Sequence, residues 1–110
     1  MKTIRIGSGA GYGGDRIEPA IDLIQRGNLD YIIFECLAER TISLAQKNKQ
    51  KDHQLGYNDL FEYRFDKILD AIKDHPVKVI TTMGAANPKA AANKCKSMAQ
   101  DKGIQNLKIA

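Results

Sequence analysis

Five glycines crowd into eight positions of this chain, within Gly7-Ser8-Gly9-Ala10-Gly11-Tyr12-Gly13-Gly14-Asp15-Arg16. A short alternating run, Thr3-Ile4-Arg5-Ile6, precedes them, and an amphipathic helical pattern follows. Strand, glycine-rich turn and helix in that order is a recurring way to build a small-molecule site. Glycine lets the backbone turn at positive φ and approach a ligand, while a helix start offers free N–H groups and a partial positive charge. An ordinary strand-to-helix turn needs one or two glycines. The surplus marks a ligand or catalytic loop, with a purely geometric turn as the plainer alternative.

The remaining elements follow from periodicity and punctuation. Asp15 and Glu18 have the spacing of a capping box. Ile17, Ala20, Ile21 and Ile24 repeat at helical spacing until Gly27-Asn28 stops them. Asp30 to Glu35 is a nearly continuous apolar run, as expected of a strand covered on both faces. A second helix runs through Ile42, Leu44 and Ala45, followed by a lysine-rich connector from Gln46 to His53. Asn58 or Asp59 is placed to cap a third helix, whose apolar face is Phe61, Phe65, Ile68, Leu69 and Ile72. Val77 to Thr82 reads as a third strand. Asn87 caps a fourth helix with Pro88 at its first position, and Ala91, Cys95, Met98 and Ala99 form the buried stripe. Gly103 ends that helix, and Leu107 to Ala110 reads as a fourth strand. The order β-α-β-α-α-β-α-β predicts an α/β fold, a three-layer Rossmann-like half with a parallel sheet of about four strands. The domain reads as incomplete, because a covering helix would be expected after the last strand.

Composition narrows the function. With 110 residues the chain supports one domain. Its net charge of +4 is spread out except at Lys47, Lys49 and Lys51, and no nucleic-acid-binding motif accompanies them. Cys36 and Cys95 are far apart, form no C-x-x-C pair, and lack histidines at metal-ligand spacing, so no metal site is expected. Neither an apolar leader nor a membrane-length apolar run is present. Together these features point to a cytoplasmic protein with a small-molecule partner, not a nucleic-acid or membrane one.

In open parallel sheets, ligands bind beyond the carboxyl ends of the strands. Three segments converge there: the glycine loop, Glu35 to Arg40, and Thr82 to Asn87. Glu35 is the candidate catalytic residue, as a general base or a hydroxyl-binding group. The candidate ligand-binding residues are Gly9, Gly11, Gly13, Gly14, Asp15, Arg40 and Asn87, with Arg40 suited to a carboxylate or phosphate. Cys36 has no evident histidine base and reads as a buried thiol. No cofactor is predicted, although Gly9-Ala10-Gly11-Tyr12-Gly13-Gly14 satisfies G-x-G-x-x-G and Glu35 stands where a ribose-binding acid belongs. With the strand ending at Ile6, that register makes the loop two residues too long for NAD(P) binding, which remains the alternative.

The glycine run, Phe34-Glu35-Cys36-Leu37-Ala38-Glu39-Arg40-Thr41 and Met83-Gly84-Ala85-Ala86-Asn87-Pro88 together resemble the acyclic terpene utilisation family AtuA. Leu29-Asp30-Tyr31 and Leu55-Gly56-Tyr57 extend the resemblance across nearly the whole chain. It implies an association with breakdown of acyclic terpenes such as citronellol and geraniol. It supplies no catalytic residues, so the candidates above rest on the strand-end argument. Members are several times longer, which makes residues 1–110 an N-terminal fragment of an AtuA-like α/β domain, not expected to be active alone. An uncovered sheet face would then favour self-association or pairing with a missing C-terminal half.

Overall fold

The computed structural model describes residues 2–110. Three parallel strands form the sheet: β1 (Ile6–Ala10), β2 (Tyr31–Phe34) and β3 (Lys78–Thr81), side by side in chain order. Four helices complete the chain: α1 (Glu18–Arg26), α2 (Glu39–Lys51), α3 (Phe61–Asp74) and α4 (Pro88–Asp101). The α/β class and the parallel open sheet agree with the sequence. The fourth strand does not, since Leu107 to Ala110 pairs with nothing in the sheet.

The layering also differs from expectation. In a sheet whose strands follow chain order, crossovers of one hand lay their helices on the same face. Here α1 packs on β1 and α3, and α3 packs on α4. Ile24, Ile32, Phe34, Ile68, Leu69, Ala91 and Cys95 meet in the single core between these helices and the sheet. The opposite sheet face is open, with Ile6, Ile33 and Ile80 exposed at 62%, 40% and 53%. The three-layer arrangement is therefore not seen.

β1 lies further along the chain than the alternating run suggested. Its register pairs Ile6 with Tyr31, Gly7 with Ile32 and Ser8 with Ile33, and an irregularity follows before Ala10 meets Phe34. Gly7 and Gly9 are thus strand residues. A Cβ on Gly9 would lie 2.5 Å from the Phe34 ring, and one on Gly7 would lie 2.5 Å from Leu29 Cδ1. Bulky neighbours fill the space that a side chain would need. None of the five clustered glycines has a positive φ, whereas Gly56 and Gly103 do.

The lysine-rich segment is the second half of α2 up to Lys51, so it is not a connector. One of its lysines ties down a neighbour, with Lys49 Nζ donating to Ala86 O at 3.2 Å. Asn87 caps α4 as expected, its Oδ1 accepting from Ala90 N, and Gly103 at φ 72° follows the helix end. Neither Asn58 nor Asp59 caps α3: Leu60 occupies the cap position without a side-chain cap, and Asn58 Oδ1 accepts instead from Leu60 N, ahead of the helix. The capping box at α1 does not form: Ile17 occupies the cap position and Asp15 turns back into the glycine loop.

Candidate functional site

The carboxyl ends of the strands gather three loops. The first, Gly11 to Ile17, is closed by Asp15, whose Oδ2 accepts from Gly11 N (2.5 Å) and Tyr12 N (3.2 Å). A carboxylate of the chain itself therefore occupies the first two amides of the loop. The Gly13 and Gly14 amides have no acceptor among the described residues. They remain free for an external acceptor.

The second loop carries Glu35. Its Oε1 accepts from Leu37 N (2.8 Å) and from Thr82 Oγ1 (3.2 Å), and Thr82 Oγ1 in turn accepts from Cys36 N (2.9 Å). One carboxylate oxygen is thus anchored by the segments that follow β2 and β3. Oε2 has no donor among the described residues. A carboxylate fixed at one oxygen and open at the other can accept a proton or a hydroxyl hydrogen bond. Arg40, in the first turn of α2, is exposed and has no side-chain partner among the described residues. The start of α2 adjoins the glycine loop: a Cβ on Gly13 would lie 3.2 Å from Thr41 Cγ2.

The third loop, Thr82 to Asn87, turns through Ala85 at φ 49°, a left-handed conformation that costs a non-glycine residue roughly 1 kcal/mol. Asn87 is almost wholly buried, and its Nδ2 donates to His53 O and Leu55 O, both at 2.8 Å. With Oδ1 given to Ala90 N, its amide is committed to tying the 53–56 turn to α4. Gly9 is directed at Phe34 inside β1. Glu35 and the Gly11–Asp15 segment are brought together at the strand ends, whereas the side-chain contacts of Asn87 all lie within the fold.

One residue at the centre of the site escaped the sequence analysis. Arg64, on α3, is 1% exposed, and its guanidinium reaches all three strand ends. Nη2 donates to Gly13 O (2.6 Å) and Asp15 O (2.9 Å), while Nη1 points at Cys36 Sγ (3.4 Å) and Met83 Sδ (3.8 Å). The available signal was its position: Arg64 is three residues after Phe61 and four before Ile68, on the apolar stripe itself. Beside it, burial pushes the Cys36 thiol up from its ordinary value, against the pull of the guanidinium. Cys36 is therefore protonated at neutral pH and is a poor nucleophile.

The dinucleotide fingerprint is not reproduced. β1 ends at Ala10, which removes the excess loop length, but α1 begins only at Glu18, four residues beyond Gly14. The third glycine of that fingerprint packs the helix on the strand. Gly14 is exposed in a turn instead.

The sequence model of the family described as "Acyclic terpene utilisation family protein AtuA" matches residues 4–110. The chain belongs to the AtuA family. Membership associates it with acyclic terpene utilisation and agrees with the three motifs that carried the resemblance. No curated protein and no solved structure matches the chain significantly. Among the described residues, no helix is long and apolar enough to cross a membrane.

Proposed function

We propose that this AtuA-family chain binds an acidic or acyl-CoA-type metabolite of acyclic terpene breakdown at the carboxyl ends of its strands. The Gly13 and Gly14 amides receive the anionic group, Arg40 pairs with it from the start of α2, and Glu35 Oε2 is the candidate base. The observation that carries this reading is that the Gly13 and Gly14 amides are unclaimed among the described residues, as are those of Arg16 and Ile17 that follow in the loop. They belong to a turn fixed on both sides, by Asp15 within the loop and by Arg64 beneath it. A preset row of N–H donors costs little ordering on binding, which favours an anion there. An apolar groove of about 650 Å³ supports the hydrocarbon part of the reading. Phe61, Phe65, Val79 and Cys95 line it, and it reaches Gly84 in the third loop and Pro88 at the start of α4.

Calorimetric titration with a terpenoid acyl-CoA and, separately, with NAD and NADP tests the proposal. Heat with the first and none with the others is expected. Heat with the dinucleotides alone would replace this reading with the cofactor one. Silence in all three would remove it.

A second reading rests on the open sheet face. Exposed Ile6, Ile33 and Ile80 on a parallel sheet, which ordinarily buries both faces, favour assembly over catalysis. Sedimentation of the chain over a range of concentrations decides it, because a monomer throughout would exclude self-association.

A further inference from the structure

We infer that Arg64 is the positioning residue of the strand-end site: it holds the Gly13–Asp15 turn so that the Gly13 and Gly14 amides face outward. The inference rests on the binding reading above for what those amides receive.

Its first support is what Arg64 displaces. The apolar stripe Phe61, Phe65, Ile68, Leu69 would continue with a leucine or methionine at position 64. Instead a guanidinium is buried, and no carboxylate forms an ion pair with it among the described residues. Burying an unpaired cation is costly, and apolar replacements of buried charges are often neutral or stabilising. The fold therefore gains something from Arg64 that packing alone would not supply.

Geometry identifies the gain. The two carbonyls that Arg64 engages belong to Gly13 and Asp15, on either side of Gly14. Drawing the Gly13 carbonyl inward fixes the Gly13–Gly14 peptide plane and turns the trans Gly14 N–H away from Arg64, while the Tyr12–Gly13 plane is set by Asp15 N donating to Tyr12 O at 3.2 Å within the same clamped turn. The Gly13 and Gly14 N–H groups are left without internal partners. From the other nitrogen, the guanidinium touches Cys36 at the end of β2 and Met83 beyond β3. One rigid plane thereby sets the loop relative to the strand that carries Glu35. A lysine ammonium keeps the charge but lacks the planar fork that reaches carbonyls and sulfurs at once.

The test compares the wild type with Arg64→Lys and Arg64→Met by amide NMR, using inorganic phosphate and then coenzyme A as probes. Arg64→Lys is expected to keep the amide protection of Ile68 and Leu69. Gly13 and Gly14 should lose their rigid-backbone heteronuclear NOE, and affinity for either probe should fall about tenfold or more. Arg64→Met should do the same or worse. Unchanged order at Gly13 and Gly14 in a folded Arg64→Lys protein would overturn the inference, even if stability fell. Binding is scored separately: a wild type that ignores both probes sinks the binding reading, while loop order still decides the role of Arg64. Should both variants fail to fold, the wild-type Arg64 Nη protons serve instead. Slow exchange, with a shift on phosphate addition that parallels Gly13 and Gly14, supports the inference. Fast exchange, or no parallel shift, overturns it.

Discussion

The two halves of the glycine-rich stretch share a composition and differ in what makes glycine necessary. In the first half, Gly7 and Gly9 are strand residues whose hydrogens face leucine side chains and the Phe34 ring. In the second, Gly11 to Gly14 form a turn held by Asp15 and Arg64, and a Cβ on Gly11 would meet only Asp15 Oδ2, at 3.8 Å. The first half is glycine because side chains from α1, the loop before β2 and β2 itself fill the space. In the second half only Gly11 faces open space, since a Cβ on Gly13 would lie 3.2 Å from Thr41 Cγ2 and one on Gly14 would lie 3.0 Å from Tyr12 Cε2. A glycine count therefore does not distinguish a packing constraint from an open turn, whereas the Cβ neighbours of Gly9 and Gly11 do.

The largest predicted effect lies in the first half. Gly9→Ala drives a methyl into the Phe34 ring and should cost about 1–3 kcal/mol in urea unfolding, as overpacking of a core does. Combining it with Phe34→Leu should recover part of that loss, with a coupling of about 1 kcal/mol or more in the double-mutant cycle. Additive losses would show that Gly9 is required for some other reason. Next in size is Asp15→Ala, which removes the acceptor for Gly11 N and Tyr12 N. A loss near 1 kcal/mol is expected, comparable to losing a helix cap, with faster exchange confined to those amides.

How much was legible in the sequence follows the same division between local and distant causes. α1, α3 and α4 were legible because their apolar residues repeat within the element itself. The start of β1 was misplaced because the reason for Gly9 is Phe34, a partner in another strand that no local pattern reveals. The Gln46–Lys51 half of α2 reads as a connector since, beyond buried Ala45, it presents only exposed or half-buried polar side chains. The fourth strand was inferred from Leu107 and Ile109 alone, and such a short alternation needs a sheet edge to become a strand. The place of Glu35 directly beyond β2 was legible from the apolar run before it. Arg64 was not, because charge in a helix is ordinarily taken for a solvated face.

A clamp on the exposed side of α3 supplies a control. Lys102 Nζ bridges Asp66 and Asp70, at 2.9 Å each, joining the end of α4 to α3. The hydrogen bond from Lys102, and then its charge, hold the Asp66 carboxyl below its ordinary value. A carboxyl depressed in the folded state stabilises above its unfolded value, and that contribution is lost as pH falls through the folded one. Mild acid should therefore lower stability slightly in the wild type and less in Lys102→Met, with the Gly13 and Gly14 amides unaffected in either. An equal acid response in both proteins would remove the clamp from the account. The smallest stability effect is predicted for Gly11→Ala, within about 0.5 kcal/mol of wild type, because the added methyl enters open space. A loss as large as that of Gly9→Ala would erase the distinction between the halves.

On the proposed reading, only the second half of the stretch meets a ligand. Amide chemical-shift mapping during titration with a terpenoid acyl-CoA tests it directly, since all five glycines report in one spectrum. The largest shifts are expected at Gly13 and Gly14, accompanied by Glu35 and Arg40, with Gly7 and Gly9 nearly still. Shifts centred on Gly7 and Gly9, or on the open face at Ile6, Ile33 and Ile80 while Gly13 and Gly14 stay fixed, would contradict it.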